Sequence, residues 1–458
     1  MGQFYSEIYL AKDAGKHVGL LVVAFLCVIV VGYFLFRITT TNKKLNWIIL
    51  GLMLIIFAVV AITWIRLVPN EQISDFGNFW LSAPGVLKGE KLFQSDNDYF
   101  AKYAYQSGFM VYILAIIKIF GYKVAAMQGM NVVFQVLILL VTYLLVVQIF
   151  DNIKMARLAV FLLMIDLDWF ALNSQADNQY LGTLFYLLTF YLITKDKLWA
   201  YILAGITLTI GCLVRPIGPV IILGIAVFAI IYLMFDKNKF DYKRFSKIVL
   251  TLVIYFVLFA LAGWGIKASG LNEYGLSNRD TEWKFVTGLN YASDGTYTPD
   301  MDKYLEPDKP RAEVRKNEKV IVKKQINYLN ENNKWLDLFV TKLKGLWSQR
   351  TMATDAAGFS DHHSDRASEL VNYLAYIGSI ILIVFSWIGS IGLFKTNFTK
   401  YLYVLLLPMM AFAAAQLLIE VQGRYRIEFL PILAILASVG LFKVCEWLKQ
   451  LFDKRIGA

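Results

Sequence analysis

Asp75 is the first residue of this chain whose type and position could support chemistry. It lies in the segment S-D-F-G-N-F-W, a few positions after a long apolar run that ends near residue 68. A carboxylate there would lie close to a membrane surface and could accept a proton from a sugar or peptide hydroxyl, as a general base. A solvated loop acid would occupy the same position, so both interpretations stay open.

Asp96 and Asp98 form a second acidic motif, D-N-D, in the same polar loop. Two carboxylates at this spacing can share a divalent cation through their oxygens. Hydrated loop acids show the same pattern. We take Asp98 as a candidate for substrate binding, and a divalent cation as possible but not required.

Asp177 lies in N-S-Q-A-D-N-Q-Y, a polar turn between two apolar runs, and Asp166 and Asp168 precede it. Ionisable groups at or within a membrane are costly and usually functional. Asp177 would face the same side of the membrane as Asp75, and we take it as a candidate for substrate binding. Helix capping or pairing with an arginine is the alternative for all three acids.

Arginines follow two of the later apolar runs. The segments are C-L-V-R-P-I-G-P and E-V-Q-G-R-Y-R-I-E-F-L-P, and they supply the substrate-binding candidates Arg215, Arg424, Tyr425 and Arg426. A guanidinium is a forked, permanently charged donor that suits phosphate. The alternatives are anchoring to lipid headgroups and pairing with Glu420 or Glu428.

The composition indicates the elements that must position these residues. The chain has 458 residues, of which 58% are hydrophobic and 17% charged, whereas soluble domains are about half apolar and about a quarter charged. We therefore expect a polytopic membrane protein. The three cysteines lie in apolar runs, so no disulfide is expected. His362 and His363 are interpreted as a solvated loop pair, because three histidines in all are too few for a histidine-built metal site.

A membrane span needs about 20 apolar residues. Spans are predicted at 17–37, 47–68, 130–150, 158–173, 180–194, 200–214, 217–235, 245–267, 371–394, 402–420 and 427–446. The apolar run 107–121 is predicted to be a re-entrant or interfacial helix, because counting it as a span would reverse every later loop. The fold class expected is all-α, a helical bundle of about 11 transmembrane helices with a mixed extracellular insert.

Short connectors between the apolar runs are rich in Lys and Arg, and the net charge is +11. Such connectors favour the cytoplasmic side, which places the N-terminus outside and the C-terminus in the cytoplasm of a multi-pass cell-membrane protein. The charge thus concerns membrane orientation and gives no reason to expect nucleic acid as a partner. The predicted segments are the N-terminal spans 1–68, the first outer loop 69–129, the central helices 130–267, the extracellular domain 268–370 and the C-terminal helices with the tail, 371–458.

The insert ends in W-L-D-L-F-V-T-K-L-K-G-L-W, which predicts an amphipathic helix that could lie on the bilayer surface. Its apolar face would carry Trp335, Leu338, Phe339, Leu343, Leu346 and Trp347. Lys342 and Lys344 are expected off that face. The sequence contains no P-loop and no Gly-rich dinucleotide motif, which argues against nucleotide chemistry.

The order of these motifs resembles that of the GT-C superfamily of membrane glycosyltransferases. This superfamily uses polyprenyl-phosphate-linked sugars and includes protein mannosyltransferases, aminoarabinose transferases and oligosaccharyltransferase catalytic subunits. The matching features are the early acid in S-D-F-G-N-F-W, the run Y-F-A-K-Y-A-Y-Q-S-G-F, the acidic A-D-N-Q, then L-V-R-P and the late R-Y-R before L-P. The likeness covers most of residues 45–446, and the insert with G-L-N and D-G-T-Y looks like that of bacterial members.

The resemblance implies an inverting transfer of a sugar to an acceptor of the cell envelope at the outer membrane face. Asp75 would deprotonate the acceptor hydroxyl, and Arg215, Arg424 or Arg426 would stabilise the departing polyprenyl phosphate. Asp177 would position the acceptor or hold a cation. The partners implied are the lipid-linked donor, a polymer, lipid or protein acceptor, and the bilayer.

The sequence departs from the family pattern in three places. Two spans are predicted before the first outer loop, where the family commonly has one. The second acid of that loop could be Glu90, Asp96 or Asp98. Position 179 is Gln where oligosaccharyltransferases carry Glu, and no W-W-D motif is present, which argues against N-glycosylation. A transporter or flippase of a lipid-linked glycan, and a non-catalytic protein of envelope assembly, are the competing hypotheses.

Overall fold

The computed structural model describes residues 14–95, 98–235, 240–277, 282–304, 309–349 and 351–456. Every regular element in these ranges is a helix, so the predicted all-α class is confirmed. The mixed insert predicted at 268–370 is wrong for its described part, which consists of helices and loops. Its longest helix, 311–331, is rich in Lys, Arg and Glu, and these residues favour helices.

The first half of the chain contains ten helices in the described ranges. They are α1 (Ala14–Arg37), α2 (Lys43–Leu67), α3 (Ser74–Leu87), α4 (Tyr99–Lys102), α5 (Ser107–Phe120), α6 (Val124–Phe150), α7 (Ile153–Met164), α8 (Leu167–Phe170), α9 (Gln179–Thr194) and α10 (Leu198–Val214). Asparagine side chains cap two of them: Asn42 accepts from the backbone N–H of Leu45 and Asn152 from that of Met155, both at 3.1 Å. Each cap satisfies a donor that the first helical turn leaves free.

The second half continues the bundle and adds the insert. Its helices are α11 (Gly218–Ala229, extended by a π turn Ile230–Met234), α12 (Tyr242–Ala268), α13 (Trp283–Gly288), α14 (Arg311–Glu331), α15 (Trp335–Ser348), α16 (Phe359–His362), α17 (Asp365–Gly392), α18 (Leu402–Gln416) and α19 (Leu430–Ile456). A 3₁₀ segment, Gly423–Phe429, leads into α19.

Six helices are long and apolar enough to cross a membrane, by length and composition. They are Val18–Arg37, Lys43–Leu67, Val124–Phe150, Tyr242–Ala268, Asp365–Lys395 and Gly423–Lys454. Shorter apolar helices are Ala104–Phe120, Gln179–Thr194, Leu198–Val214, Gly218–Met234 and Leu402–Gln416. The chain is therefore a multi-pass, all-helical membrane protein.

One predicted span is interrupted in the structure, and the short helix predicted at 107–121 is present. Residues 158–173 are not one span: α7 ends at Met164, and α8 begins after Asp166 accepts a hydrogen bond from the backbone N–H of Asp168 at 3.2 Å. That side chain offers the backbone an alternative to continuing the helix. The run 107–121 does form a helix, α5, whose 14 residues extend about 21 Å, less than the roughly 30 Å of a bilayer core.

The two C-terminal long helices pack through glycine. A Cβ on Gly389 of α17 would lie 1.9 Å from the carbonyl oxygen of Leu436, and one on Gly440 of α19 would lie 2.1 Å from that of Phe385. Only glycine permits such an approach of two helix backbones, which is the usual way in which membrane helices associate closely. This contact fixes the start of α19, next to the residues described below.

A buried arginine closes the opposite end of the bundle. Arg157 of α7 is fully buried, and its guanidinium donates to the carbonyl oxygens of Ile38 and Thr39, both at 3.1 Å, and to the side chain of Asn46. These acceptors form the turn between α1 and α2, so Arg157 holds that turn without a carboxylate partner among the contacts observed. The far end of α2, at Leu67, leads toward Asp75.

Candidate functional site

Asp75 lies in the first turn of α3, where its Oδ2 accepts a hydrogen bond from Nη2 of Arg424. The side chain of Asp75 is 34% exposed and that of Arg424 is 17% exposed. Ser74, which begins α3, has φ = +50°, a region that residues other than glycine rarely adopt. Strained residues of this kind cluster at functional sites, and here the strained residue directly precedes the candidate base.

The approach to Asp75 is fixed by hydrogen bonds to the turn that carries Asp177. Gln72 Nε2 donates to the carbonyl of Ser174 at 3.1 Å, and Gln175 Nε2 donates to that of Glu71 at 3.1 Å. The backbone N–H of Ile73 donates to Gln175 Oε1 at 3.4 Å. These hydrogen bonds join two segments that are about a hundred positions apart in the chain. They bring the segments that carry Asp75 and Asp177 into one region.

Arg424 is held from several sides. Its Nε donates to Gln422 Oε1 at 2.8 Å, and its carbonyl accepts from Gln179 Nε2 at 2.6 Å. The guanidinium carbon lies 5.3 Å from the ring centre of Phe76 and 5.8 Å from that of Tyr425. Aromatic faces attract a cation at such distances, so the guanidinium is positioned by its surroundings as well as by Asp75.

Arg215 forms a second ion pair, with Glu428, and both side chains are largely buried. The ring centre of Tyr425 lies 5.3 Å from the Arg215 guanidinium carbon, so this ring contacts both Arg215 and Arg424. Gly182 of α9 permits the close approach, because a Cβ there would lie 2.5 Å from Cβ of Arg215. Pairing with Glu428 was the alternative expected for this arginine, and the structure shows that pairing.

Asp177 is buried, with only 1% of its surface exposed. Its Oδ1 accepts from the backbone N–H of Gln179 at 3.1 Å, while Oδ2 has no hydrogen-bond partner in the described part of the chain. Burial raises the pKa of this carboxyl to about 7, against the lowering effects of the Gln179 hydrogen bond and of Arg215. A carboxyl that titrates near neutral pH and keeps one oxygen unbonded is suited to hold a hydroxyl group.

The insert supplies a partner that sequence reasoning did not assign. Lys284 of α13 bonds Glu420 at 2.5 Å, and Tyr425 Oη lies 3.3 Å from the other Glu420 oxygen. Burial alone would raise the pKa of Glu420, but Lys284 beside it holds that pKa below its usual range. The backbone adds a further link, since the N–H of Glu420 donates to the carbonyl of Lys284 at 2.9 Å. These contacts from the insert therefore stabilise the segment that carries Arg424.

Lys342 corrects one expectation for the amphipathic helix. It lies on the buried face of α15, between Leu338 and Leu346, and not off it. Its Nζ donates to three backbone carbonyls, those of Gly288 (2.7 Å), Leu417 (2.8 Å) and Ile419 (2.9 Å). Burial lowers the pKa of this amine to about 7. A helical pattern in the sequence could not reveal that these carbonyls gather around position 342.

Two predicted residues lie outside this cluster. Asp98 accepts hydrogen bonds from the backbone N–H groups of Gln94 (2.6 Å) and Ser95 (3.1 Å), which lower its pKa although burial opposes them. Arg426 is buried against Asp168 and donates to the carbonyl of Leu346 at 2.7 Å. Asp98 thus stabilises its own loop. Arg426 connects Asp168, at the break between α7 and α8, to Leu346 of the insert. The prediction for Asp96 falls outside the described residues.

The described residues do not fit a divalent cation well. They contain no group of three His, Cys, Asp or Glu side chains that could hold one. Asp177, Gln179 and Glu428 each keep a buried oxygen without a hydrogen bond, but Arg215 is paired with Glu428 and its charge acts on Asp177. Positive charge from Arg215 and Arg424 therefore already occupies this region.

The cluster therefore joins Asp75, Asp177, Arg215, Arg424 and Tyr425 with Glu420, Glu428 and Lys284. Its members come from five separate stretches of the chain. Taken together, the arrangement offers a partly exposed carboxylate, two arginines with an aromatic ring in contact with both, and a buried carboxyl with one unbonded oxygen. Such a set can bind a phosphate and a hydroxyl in the same place.

No protein-family model and no curated protein matches the sequence. The fold is similar to that of a solved archaeal oligosaccharyltransferase, AglB of Archaeoglobus fulgidus, in complex with an inhibitory peptide and a dolichol-phosphate, with 15% identity and a TM-score of 0.48. That match covers 89% of this chain and 52% of the other, so the chain spans about half the length of the oligosaccharyltransferase. ArnT of Cupriavidus metallidurans bound to undecaprenyl phosphate is also similar, with 12% identity, a TM-score of 0.37 and coverage of 84% and 77%.

Proposed function

We propose that this chain is an inverting glycosyltransferase that moves a sugar from a polyprenyl-phosphate donor to an acceptor of the cell envelope. The observation that carries the proposal is the contact between Asp75 and Arg424 within a cluster that also contains Arg215 and Asp177. A candidate base and candidate phosphate ligands from distant parts of the chain meet there. The order of motifs shared with the GT-C superfamily supports the same function.

The cluster's place in the bundle suits a lipid-linked donor. Three apolar helices end beside it, at Leu67, Val214 and Gln416. Three others begin there, at Gln179, Gly218 and Leu430. Ends of apolar helices mark the boundary of a bilayer. A donor phosphate could therefore reach the arginines while its polyprenyl tail stays in the hydrocarbon. Since the charge pattern of the connectors predicts this boundary to be the outer one, the N-terminus is proposed to lie outside and the C-terminus in the cytoplasm.

The proposed reaction is a single displacement. Asp75 takes the proton of the acceptor hydroxyl, and the acceptor oxygen forms a bond to the anomeric carbon of the donor sugar. The bond from that carbon to the phosphate oxygen breaks on the opposite face, and the electron pair leaves with the polyprenyl phosphate. Arg424 and Arg215 stabilise the negative charge that develops on the phosphate, which is the step where fixed donors lower the barrier most.

The ion pair between Asp75 and Arg424 sets the order of events. While Oδ2 of Asp75 accepts from the guanidinium, that oxygen is not available to an acceptor hydroxyl. A donor phosphate that binds Arg424 competes with Asp75 and releases it. Donor binding thus prepares the base, and Asp177 is proposed to orient the acceptor through its unbonded oxygen.

Transfer activity of an Asp75→Asn variant tests the proposal. The amide keeps the size of the side chain but cannot accept the proton. Lost transfer with normal membrane abundance would support the enzyme. Unchanged envelope sugars would instead favour the transporter or the non-catalytic assembly protein.

A further inference from the structure

A second polar site lies beside the cluster, in a surface depression between the end of α2 and α16. Its volume is about 640 Å³, and its lining includes Arg66, Asn70, Glu71, His362 and His363. Small-molecule sites commonly measure about 300–1,000 Å³. The residues that form the Asp75 cluster are absent from this lining.

His363, which lines the depression, is the outer member of a stack of three rings. Trp64 lies parallel to Phe359 at 5.7 Å between ring centres, and Phe359 lies parallel to His363 at 4.0 Å. His363 Nε2 is 2.7 Å from the carbonyl oxygen of Leu67. A carbonyl oxygen only accepts, so Nε2 carries the hydrogen and Nδ1 is left to contact a ligand. The imidazole is held in place by packing and by a hydrogen bond.

Three other polar side chains of the depression are not engaged by described residues of the protein, and a fourth, Asn70, is. Arg66, Glu71 and His362 form no side-chain hydrogen bond or ion pair with any described residue. Asn70 is oriented, because its Oδ1 accepts from Gln128 Nε2 at 3.1 Å. The guanidinium of Arg66 and a ring N–H of His362 are donors for phosphate, while the carboxylate, the amide and Nδ1 of His363 suit hydroxyl groups.

The depression is connected to the candidate base by a short, fixed segment. Glu71 precedes Asp75 by four residues, and four extended residues span at most about 14 Å. The hydrogen bonds from Gln72 and Gln175 hold this segment. Glu71 in the depression and Asp75 in the cluster are therefore near each other along one held segment.

We propose that this depression binds a phosphate-bearing saccharide, with the phosphate on Arg66 and His362 and the hydroxyls on Glu71, Asn70 and Nδ1 of His363. Its assignment as the acceptor subsite rests on the proposed transferase function. The acceptor would then be a phosphorylated glycan, held so that a hydroxyl farther along the ligand reaches Asp75.

Histidine resonances provide a direct test, because the chain has only His17, His362 and His363. The full chain, labelled in its histidines and held in nanodiscs of zwitterionic lipid, is titrated with glucose 6-phosphate at constant pH. Saturable shifts of two imidazole signals are expected, with the His17 signal as the internal reference. Glucose at the same concentrations should cause none, and Arg66→Ala should weaken the apparent affinity at least about tenfold. Arg37→Ala, at the last residue of α1 and outside the lining of the depression, is the matched control and should leave the affinity unchanged.

Three outcomes would overturn the inference. One is the lack of a saturable shift, or a shift that Arg66→Ala does not weaken. Another is that inorganic phosphate binds as tightly as glucose 6-phosphate, which would show that the saccharide contributes nothing to binding. The third is the same shift in nanodiscs of phosphatidylglycerol without added sugar phosphate, which would assign the phosphate to a lipid headgroup.

The binding measurement is independent of the transfer assay. Asp75→Asn should retain the histidine shifts, because Asp75 does not line the depression. Retained shifts together with undiminished transfer in that variant would leave this site standing and remove Asp75 as the base of the proposed transferase. Lost transfer without any histidine shift would do the reverse.

Discussion

The carboxylate of Asp75 accepts a hydrogen bond from the guanidinium of Arg424, although the two residues are 349 positions apart in the chain. The pair joins the start of a short helix after the second long apolar helix to the turn before the last one. Both side chains are partly exposed, so a ligand can reach the pair. An anionic ligand would have to displace the carboxylate in order to bind the arginine.

This competition predicts opposite effects of Asp75→Asn on transfer and on donor binding. Transfer should fall by roughly 10²–10⁴-fold, the usual contribution of a general base. Binding of polyprenyl phosphate should become tighter, because the amide no longer competes for the Arg424 guanidinium. Fluorescence titration of the purified protein with undecaprenyl phosphate measures the second effect.

Asp98→Asn is the matched control for that prediction. Asp98 bonds its own loop and lies outside the cluster, so both transfer and affinity should stay within about twofold of the unmodified chain. Weaker donor binding in Asp75→Asn than in Asp98→Asn would contradict the competition.

Arg424→Lys tests whether the forked geometry is needed. Lysine keeps the positive charge but offers a point donor where arginine offers a planar fork. Transfer should fall by about 10²–10³-fold, comparable with the loss of one donor that stabilises transition-state charge. The transfer rate of Arg426→Lys should fall mainly because the protein is less stable, since Arg426 is buried against Asp168. Equal catalytic loss in both variants, at equal thermal stability, would exclude a special role for Arg424.

The buried carboxyl of Asp177 predicts a dependence of stability on pH. Its pKa is about 7 in the folded protein and about 3.9 in an unfolded chain. Between these values the folded state holds a proton that the unfolded state has lost, so the contribution of this group to stability is full below about pH 4 and is lost as the pH rises through about 7. Asp177→Asn should remove that loss.

Thermal unfolding at pH 5 and at pH 8 measures the effect. The Asn variant should gain stability relative to the unmodified chain as the pH rises, by at most about 1.4 kcal/mol for each pH unit between the two pKa values. A difference between the two proteins that does not change with pH would show that Asp177 is not held protonated by burial.

Lys342 is predicted to stabilise the segment that carries Arg424. Its amine donates to three carbonyls from two parts of the chain, and Lys342→Met would leave them without that donor. The free energy of unfolding should fall by about 1–3 kcal/mol. Lys344→Met, on the exposed side of the same helix, is the control and should change stability by less than about 0.5 kcal/mol. Equal melting temperatures of the two variants would refute this role.

The sequence allowed the general architecture and part of the cluster to be predicted, for a physical reason. Polar residues that directly flank apolar runs must lie at a bilayer boundary, so Asp75, Asp177, Arg215 and Arg424 could be recognised as neighbours of the same surface. The pairing between them could not be predicted. Whether Arg424 would bond Glu420, Glu428 or Asp75 depends on how α3 approaches the turn before α19.

Other features had no local signal. Lys342 has the spacing of the apolar face that surrounds it, but a lysine on such a face is normally expected at its edge. Its burial depends on carbonyls contributed by Gly288 and by the end of α18. In the same way, the sequence indicates only a solvated pair at His362 and His363. The position of α16 against the end of α2 cannot be predicted from it.

The most direct test of the account is the sugar composition of the cell envelope in cells that lack this chain and are complemented with variants of it. The account predicts that one sugar is lost without the chain, that the unmodified protein and Asp98→Asn restore it, and that Asp75→Asn does not restore it at equal membrane abundance. Full restoration of that sugar by Asp75→Asn would contradict the account.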